Sequence, residues 1–283
     1  MDKSRRVCFL IMAITVSTVV TSPARLLWGK SKEWQEKRSY HFFIYYYAGC
    51  SQSFLGRLRE ASESYYRTIT QQLHFYRHDP WVWEKRAKIY VYRNKQEYLE
   101  KTKQPSWSAG YAIPVKKEIY TYAGSFGIFK GILAHEMTHL ILHEYIGFGH
   151  TIPLWLDEGV AMYIQYKTMG LLERIVTERI KPLLHSKDYI PLEELLSIAI
   201  SDLDKKQPLP TGELSHYSYV DKFYLESLSV VYFLLKQYSN YNFVNLCRDL
   251  RDGREFSSAF SRHYYTIRNL HYFEKRWKEF YSS

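Results

Sequence analysis

Two histidines and two glutamates in the middle of the chain have the types and spacing that metal-assisted hydrolysis needs. His135 and His139, in the segment H-E-M-T-H, lie four residues apart, so on a helix both imidazoles project from one face. Glu136 lies beside them and could move the proton of a water molecule without binding the metal itself. Glu158, in the later segment W-L-D-E-G-V-A, could provide the third protein ligand. Three ligands leave one coordination position open, so these residues predict a catalytic zinc ion rather than a structural one.

The segment that carries Glu158 is predicted to be a separate helix that begins after Pro153. A buried carboxylate needs a partner, and a zinc ion is a suitable one. On the residues alone, a second interpretation stays open, in which the histidines and glutamates are buried and only hydrogen-bond to one another. Burial of the carboxylate is expected because one inward face of the helix would carry Leu154, Glu158, Ala161 and Met162.

Two other histidines are alternative ligands. His143 continues the four-residue series, and His150 follows a glycine-rich turn. A carboxylate followed by glycine on an amphipathic helix fits the third position better than either. A histidine third ligand in the H-E-x-x-H-x-x-G-x-x-H arrangement is excluded, because the chain has Leu142 and Tyr145 where that pattern needs Gly and His.

The H-E-M-T-H and W-L-D-E-G-V-A segments resemble the gluzincin metallopeptidases, especially the bacterial group known as peptidase MA-like domains. The resemblance covers roughly residues 40–280, and the two zinc motifs are its specific part. It also includes a strand at Ser108–Pro114, a helix at Tyr224–Leu234 and closing helices between Asn245 and Trp277.

This resemblance implies a role for each matching residue. His135, His139 and Glu158 would bind zinc, and Glu136 would be the general base. Asp157 matches a polar position that supports a zinc-binding histidine in relatives, although a solvated acid in the first turn of a helix is the alternative. The strand at Tyr111–Ile113 would form the sheet edge that binds an extended substrate, as in gluzincins.

The group that stabilises the oxyanion is harder to choose, because the chain has 27 tyrosines and 11 histidines. Tyr224, at the head of the helix that follows the site, is the first choice as a catalytic residue. The alternatives are His216, Tyr217 and Tyr219.

The predicted function is that of a zinc-dependent endopeptidase that uses Glu136 as general base on envelope or extracellular proteins. The alternative from another class is a non-catalytic exported protein that keeps the same fold to bind a partner. A third interpretation is a structural domain stabilised by zinc, which would unfold when the metal is removed.

The N-terminus and composition limit the location and the partners. Residues 1–24 contain basic residues followed by a largely apolar run, which predicts a signal peptide or an N-terminal membrane anchor and therefore export. The net charge is +10, but lysine and arginine are scattered, so nucleic acid is not an expected partner. Cys50 and Cys247 could form a disulfide in an exported protein. The oligomeric state is open.

The predicted fold is α+β and zincin-like. Residues 25–150 would form a mixed-sheet lobe that contains the zinc helix, and residues 151–283 a helical lobe that carries the third ligand. Within the first lobe, Ser125 would cap the zinc helix and Gly147 would end it. The expected elements are a first strand at Ser39–Tyr47, a helix at Phe54–Phe75, a strand at Lys88–Tyr92, a short helix at Gln96–Lys103, one or two strands within Trp107–Tyr122 and a surface loop at Asp202–Gly212.

Overall fold

The structure is a computed structural model that describes residues 34–282, apart from 76–79, 105, 107, 130, 187 and 206–216. The predicted export segment, residues 1–24, and the candidate His216 lie outside the described residues. Within the described ranges, no helix has the length and apolar character required to cross a membrane.

A five-stranded mixed sheet forms the N-terminal part of the fold, in the order β1-β2-β3-β5-β4. The three inner strands run parallel, and each edge strand pairs antiparallel with its neighbour. The hairpin considered for Trp107–Tyr122 is confirmed, because β4 and β5 pair directly. The strands are β1 (Trp34–Arg38), β2 (Phe42–Tyr47), β3 (Ala87–Tyr92), β4 (Gly110–Ile113) and β5 (Glu118–Tyr122).

The prediction that Ser39–Tyr47 contains the first strand is wrong, because β1 precedes it and pairs with it. The sequence of β1, W-Q-E-K-R, has a single apolar residue and is largely exposed. Polar and charged residues are usual on an edge strand, since they discourage pairing with other chains, but they also hide the strand from a hydrophobic pattern.

Two α-helices connect strands of the sheet, and every regular element described after Pro153 is helical, which confirms the predicted α+β class. The predicted helices at Phe54–Phe75 and Gln96–Lys103 correspond to α1 and α2. The helices are α1 (Gln52–Gln72), α2 (Lys95–Thr102), α3 (Ile132–Ile146), α4 (Leu154–Thr168), α5 (Leu172–Ile175), α6 (Lys181–His185), α7 (Leu192–Ser197), α8 (Ile200–Lys205), α9 (Tyr219–Gln237), α10 (Asn240–Arg251), α11 (Phe256–His263) and α12 (Leu270–Ser282).

The two faces of the sheet differ. The side chains of Phe42, Ile44 and Ile89 are fully buried in the main core, together with apolar residues of α1 and α3. The opposite face carries tyrosines that are direct cross-strand neighbours, with ring centroids 4.9–5.1 Å apart. Much of the high aromatic content is therefore used in packing across the strands. This row contains Tyr45, Tyr90, Tyr120 and Tyr111.

Two local predictions are corrected by the structure. Ser125 does not cap α3, because a 3-10 turn (Phe126–Phe129) intervenes, α3 begins after Gly131, and the Ser125 hydroxyl donates to the carbonyl of Ala109 at 3.4 Å. The first residues of the predicted surface loop, Asp202–Gly212, are helical instead, since α8 continues to Lys205. The later residues of that loop fall largely outside the described part of the chain.

The disulfide that the sequence left open is not formed, and both Cys50 and Cys247 are free thiols. Cys50 lies in the turn between β2 and α1, whereas Cys247 is fully buried on α10 in the apolar core. Burial raises the pKa of the Cys247 thiol well above its usual range, so this side chain behaves as a small apolar residue.

Glu226 is a buried carboxylate on α9 that should make stability depend on pH. Both of its oxygens accept the N–H of Ile190, at 2.9 and 3.1 Å. Burial raises the pKa of Glu226 to about 8, from 4.5. The pKa of Glu226 is higher in the folded protein than in the unfolded chain, so protonated Glu226 stabilises the fold. This contribution to the free energy of unfolding is complete below about pH 4.5 and is lost as the pH rises through about 8.

We therefore expect Glu226→Gln to gain stability relative to the wild type between pH 5 and pH 9. The expected gain is on the order of a few kcal/mol, since the pKa rises from 4.5 to about 8 and one unit of pKa shift corresponds to about 1.4 kcal/mol. Urea unfolding at the two pH values measures it. A difference between the two proteins that is the same at both pH values would contradict the buried-charge account.

Candidate active site

Helix α3 is positioned by glycines at both ends. Gly131 precedes it with a φ of +90°, and a Cβ at that position would lie only 2.6 Å from Cγ of Gln165. Gly147 ends the helix with a φ of +101°, as predicted, and its N–H donates to the carbonyl of His143 at 2.8 Å. Glycine at position 131 lets α3 approach α4 closely, and this contact brings the H-E-M-T-H segment close to the segment that contains Glu158.

The three residues predicted to bind zinc converge in the core. Nε2 of His135 lies 3.5 Å from Oε2 of Glu158, and Nε2 of His139 lies 3.8 Å from the same oxygen. One donor atom from each residue lies within 4.8 Å of the other two. All three residues are at most 3% exposed, as is Glu136 at 1%. The structure thus places two imidazoles and one carboxylate around a single point.

These donors fit a metal ion because they lack other partners. Seven buried side-chain nitrogen or oxygen atoms in the described residues have no hydrogen-bond partner, and five of them belong to this cluster. Buried polar groups are nearly always paired, and leaving one unpaired costs about 1–3 kcal/mol. A set of two imidazole nitrogens and one carboxylate oxygen is the ligand set of a catalytic zinc site. The five atoms are Nδ1 and Nε2 of His135, Oε1 of Glu136, Nε2 of His139 and Oε2 of Glu158.

Asp157 orients the second imidazole. Nδ1 of His139 donates to Oδ1 of Asp157 at 2.8 Å, so Nε2 faces Glu158. The other oxygen, Oδ2, lies 2.7 Å from Nε2 of His143. Asp157 is therefore not the solvated acid of the alternative interpretation, and His143 contacts Asp157 rather than the cluster around Glu158.

Glu136 is held by the edge strand of the sheet. The backbone N–H of Ala112, on β4, hydrogen-bonds to its carboxylate, while Oε1 has no partner. Burial raises the pKa of Glu136 above its usual value. A carboxylate with a raised pKa and one unpaired oxygen suits proton transfer near neutral pH.

The other ionisable groups of the cluster are His135, whose pKa is lowered, and Glu158 and His139, whose pKa values are raised. Burial and the neighbouring charge of His139 lower the pKa of His135 to about 4, so this imidazole is neutral at pH 7. Burial raises the pKa of Glu158 to about 8. Burial alone would lower the pKa of His139, but the carboxylates of Asp157 and Glu158 raise it to about 10. A cation that binds here must therefore displace protons.

Gly159, directly after Glu158, is a packing residue that the sequence reasoning did not explain. A Cβ at this position would lie 2.4 Å from the carbonyl oxygen of Ser227 and 2.6 Å from Cγ2 of Val231. Both belong to α9, so the glycine lets α4 and α9 pack at backbone distance.

We expect Gly159→Ala to destabilise the protein by at least about 1–3 kcal/mol, the usual cost of overpacking a core. The carbonyl of Ser227 cannot move without displacing α9, whereas a flexible side chain could rotate away. Gly56→Ala on α1 is the control, because a Cβ there meets nothing within 4 Å. Urea unfolding measures both variants, and equal stabilities would contradict the packing role.

The remaining candidate residues have other surroundings. Tyr224 is buried on α9, three residues before Ser227 and seven before Val231, which places it on the face that packs against α4. Tyr217 accepts a hydrogen bond from Arg179 at 3.3 Å, and Tyr219 donates one to Glu194 at 2.8 Å. His150 is exposed in the turn after α3.

Comparison with curated proteins gives no match. A family model described as the Peptidase MA superfamily matches residues 81–283. The matched region contains the strands β3 to β5, both helices of the cluster and all later helices, while β1, β2 and α1 precede it. Because the match covers more than half of the 283 residues, the chain belongs to the Peptidase MA superfamily and has a zincin-like, metallopeptidase-like domain.

Proposed function

We propose that this chain is a zinc-dependent peptidase, in which His135, His139 and Glu158 bind the metal and Glu136 is the general base. The observation that carries the proposal is the convergence on one point of three buried and unpaired donor atoms, one each from His135, His139 and Glu158, with an unpaired oxygen on the neighbouring Glu136. A cation bound there would satisfy the ligand nitrogens and oxygen that the fold leaves without hydrogen bonds. Family membership supports a metallopeptidase-like domain, and the ligand types favour zinc.

The protein residues divide the reaction between them. When bound, zinc supplies Lewis-acid polarisation of the carbonyl and lowers the pKa of water. Glu136 accepts the proton of the attacking water on its unpaired side and then returns it to the leaving amine. Ala112 holds the Glu136 carboxylate in place through its N–H. Asp157 keeps the Nδ1 proton on His139, so Nε2 of His139 is the nitrogen that would bind the metal.

The substrate is proposed to be an extended peptide or protein segment that pairs with β4. This strand is an edge of the sheet, and its residue Ala112 contacts the proposed base. Main-chain pairing at an edge binds a peptide with little side-chain selectivity, which suits an endopeptidase. With residues 1–24 as an export segment, the substrates would be envelope or extracellular proteins.

The alternative is a non-catalytic exported protein that uses the same fold to bind a partner. That role gives no chemical reason to keep Glu136 buried beside the ligands with a raised pKa. For partner binding alone, a neutral glutamine at this position would suffice, because burying it does not require the desolvation of a charge.

Tyr224 is proposed as the group that stabilises the oxyanion, because it is buried on the face of α9 that packs against α4. We expect Tyr224→Phe to lower kcat by roughly 100-fold, the usual effect of removing one such donor, with zinc content unchanged. Tyr219→Phe is the control, because Tyr219 bonds to Glu194. An unchanged kcat in Tyr224→Phe would remove Tyr224 from the mechanism.

Metal removal and return tests the proposed function. Treatment with a chelator should abolish peptide cleavage while circular dichroism keeps its helical signal, because the apolar core does not depend on the metal. Zinc should then restore cleavage. Unfolding on chelation would instead favour a structural zinc site, and cleavage that survives chelation would contradict the proposal.

A further inference from the structure

We propose that His143 is a positioning residue for the metal site, which holds Asp157 so that Asp157 can hold His139. The inference rests on the proposed function, since it assigns a residue that tunes the same site. It is carried by a three-residue chain of hydrogen bonds in which Asp157 uses one oxygen for each imidazole.

Both bonds of the chain are short. Oδ1 of Asp157 lies 2.8 Å from Nδ1 of His139, and Oδ2 lies 2.7 Å from Nε2 of His143. The side chain of His143 is 28% exposed and that of His139 is 4% exposed, so this series of hydrogen bonds leads from the protein surface into the core. With a donor on each oxygen, the carboxylate cannot rotate without breaking a charge-assisted hydrogen bond.

The positions of the two residues in their helices favour the same contact. His143 lies in the last turn of α3, and Asp157 lies in the first turn of α4. The C-terminal end of a helix favours a donor or cation, and the N-terminal end favours a carboxylate. The backbone of both helices therefore supports the pairing of these side chains across the α3–α4 contact.

A ligand role for His143 fits the geometry less well. His139, His143 and Asp157 do offer donor atoms within 4.8 Å of one another. A cation at that point would have to replace the Nδ1 proton of His139, which Asp157 uses to orient the ring. It would also stand next to the cluster around Glu158, so that His139 would bridge two cations. The chain of hydrogen bonds explains the same distances without this conflict.

The loss of His143 should act on the metal site rather than on the fold. Without the imidazole of His143, Oδ2 of Asp157 loses this hydrogen bond, and the carboxylate can rotate away from His139. Partners that orient metal ligands commonly contribute 10–100-fold to metal affinity. Because His143 acts through one such partner, we expect His143→Leu to raise the zinc dissociation constant by about threefold to tenfold.

The experiment measures the zinc dissociation constant of the full chain by competition with a chromophoric chelator, together with zinc stoichiometry and urea unfolding of the metal-free proteins. His143→Gln is the conservative variant, because its side-chain amide can donate a hydrogen bond to Oδ2. His263→Leu is the matched control, since His263 forms a similar pair with Asp249 at 3.0 Å in the helical region. Asp157→Ala, alone and combined with His143→Leu, completes a double-mutant cycle that measures the coupling between the two residues.

The expected result is weaker zinc binding in His143→Leu, affinity close to wild type in His143→Gln and in His263→Leu, and no further loss when His143→Leu is added to Asp157→Ala. Unchanged affinity in His143→Leu, or additive losses in the double variant, would overturn the positioning role alone. Two zinc ions per wild-type chain, with one lost in His143→Leu, would assign His143 as a ligand instead. Absence of zinc binding by the wild type would overturn this inference and the proposed function together.

Discussion

Glu136→Gln is expected to abolish most peptide hydrolysis while leaving zinc bound. A positioned general base typically contributes about 10²–10⁴-fold, and glutamine cannot accept the proton of the attacking water. The substitution keeps the size of the side chain and removes a carboxylate whose pKa is raised by burial. Its metal-free form should therefore be at least as stable as the wild type. Steady-state kinetics on a fluorogenic peptide, with zinc content measured on the same sample, tests this.

The control for this prediction is Glu144→Gln, two turns further along α3. Glu144 pairs with Lys117 at 2.6 Å and accepts from Trp81, so it tests for the general effect of losing a carboxylate from this helix. We expect little change in kcat for the control. Equal kcat in Glu136→Gln and the wild type would exclude Glu136 as the base, and loss of zinc in Glu136→Gln would mean that it is a ligand.

Glu158→Gln is expected to lower zinc affinity by more than about 100-fold, because even the residues that only orient metal ligands contribute 10–100-fold. The variant removes a buried carboxylate whose pKa is about 8, so the metal-free protein should not lose stability. Zinc competition titration and urea unfolding of the metal-free protein measure the two effects separately.

Glu226→Gln is the matched control for this experiment. Glu226 is also a fully buried carboxylate with a pKa of about 8, but it accepts the N–H of Ile190 and lies outside the ligand cluster. It should keep the zinc affinity of the wild type. If both variants lose zinc equally, a general effect on the fold is responsible, and if neither does, Glu158 is not a ligand.

The ligand cluster could be predicted because its information is local. His135 and His139 are one helical turn apart, and Glu158 belongs to a short motif that begins soon after Pro153. The class of fold followed from the order of strand and helix patterns, and the family match supports it.

The contacts that complete the site depend on tertiary packing and could not be predicted in this way. The bond between His143 and Asp157 exists because the last turn of α3 packs against the first turn of α4. The need for glycine at 159 comes from the carbonyl of Ser227, far away in the sequence. A residue pattern with period 3.6 describes one helix and contains no information about the backbone that packs against it.

Two other errors have simple physical causes. β1 is a polar edge strand, and a search for apolar alternation does not detect it. Ser125 has the chemistry of a helix cap, but the 3-10 turn after it delays the start of α3 to Ile132.

The central claim is that the cluster at α3 and α4 is a zinc site that cleaves peptide bonds. The most direct test is to incubate a peptide library made from an unrelated proteome with the zinc-loaded wild type and with zinc-loaded Glu136→Gln, and to identify new peptide termini by mass spectrometry. We predict internal cleavage products with the wild type that are missing with the variant. The same set of termini from both proteins, or none from a wild type shown to hold one zinc ion per chain, would contradict the peptidase assignment.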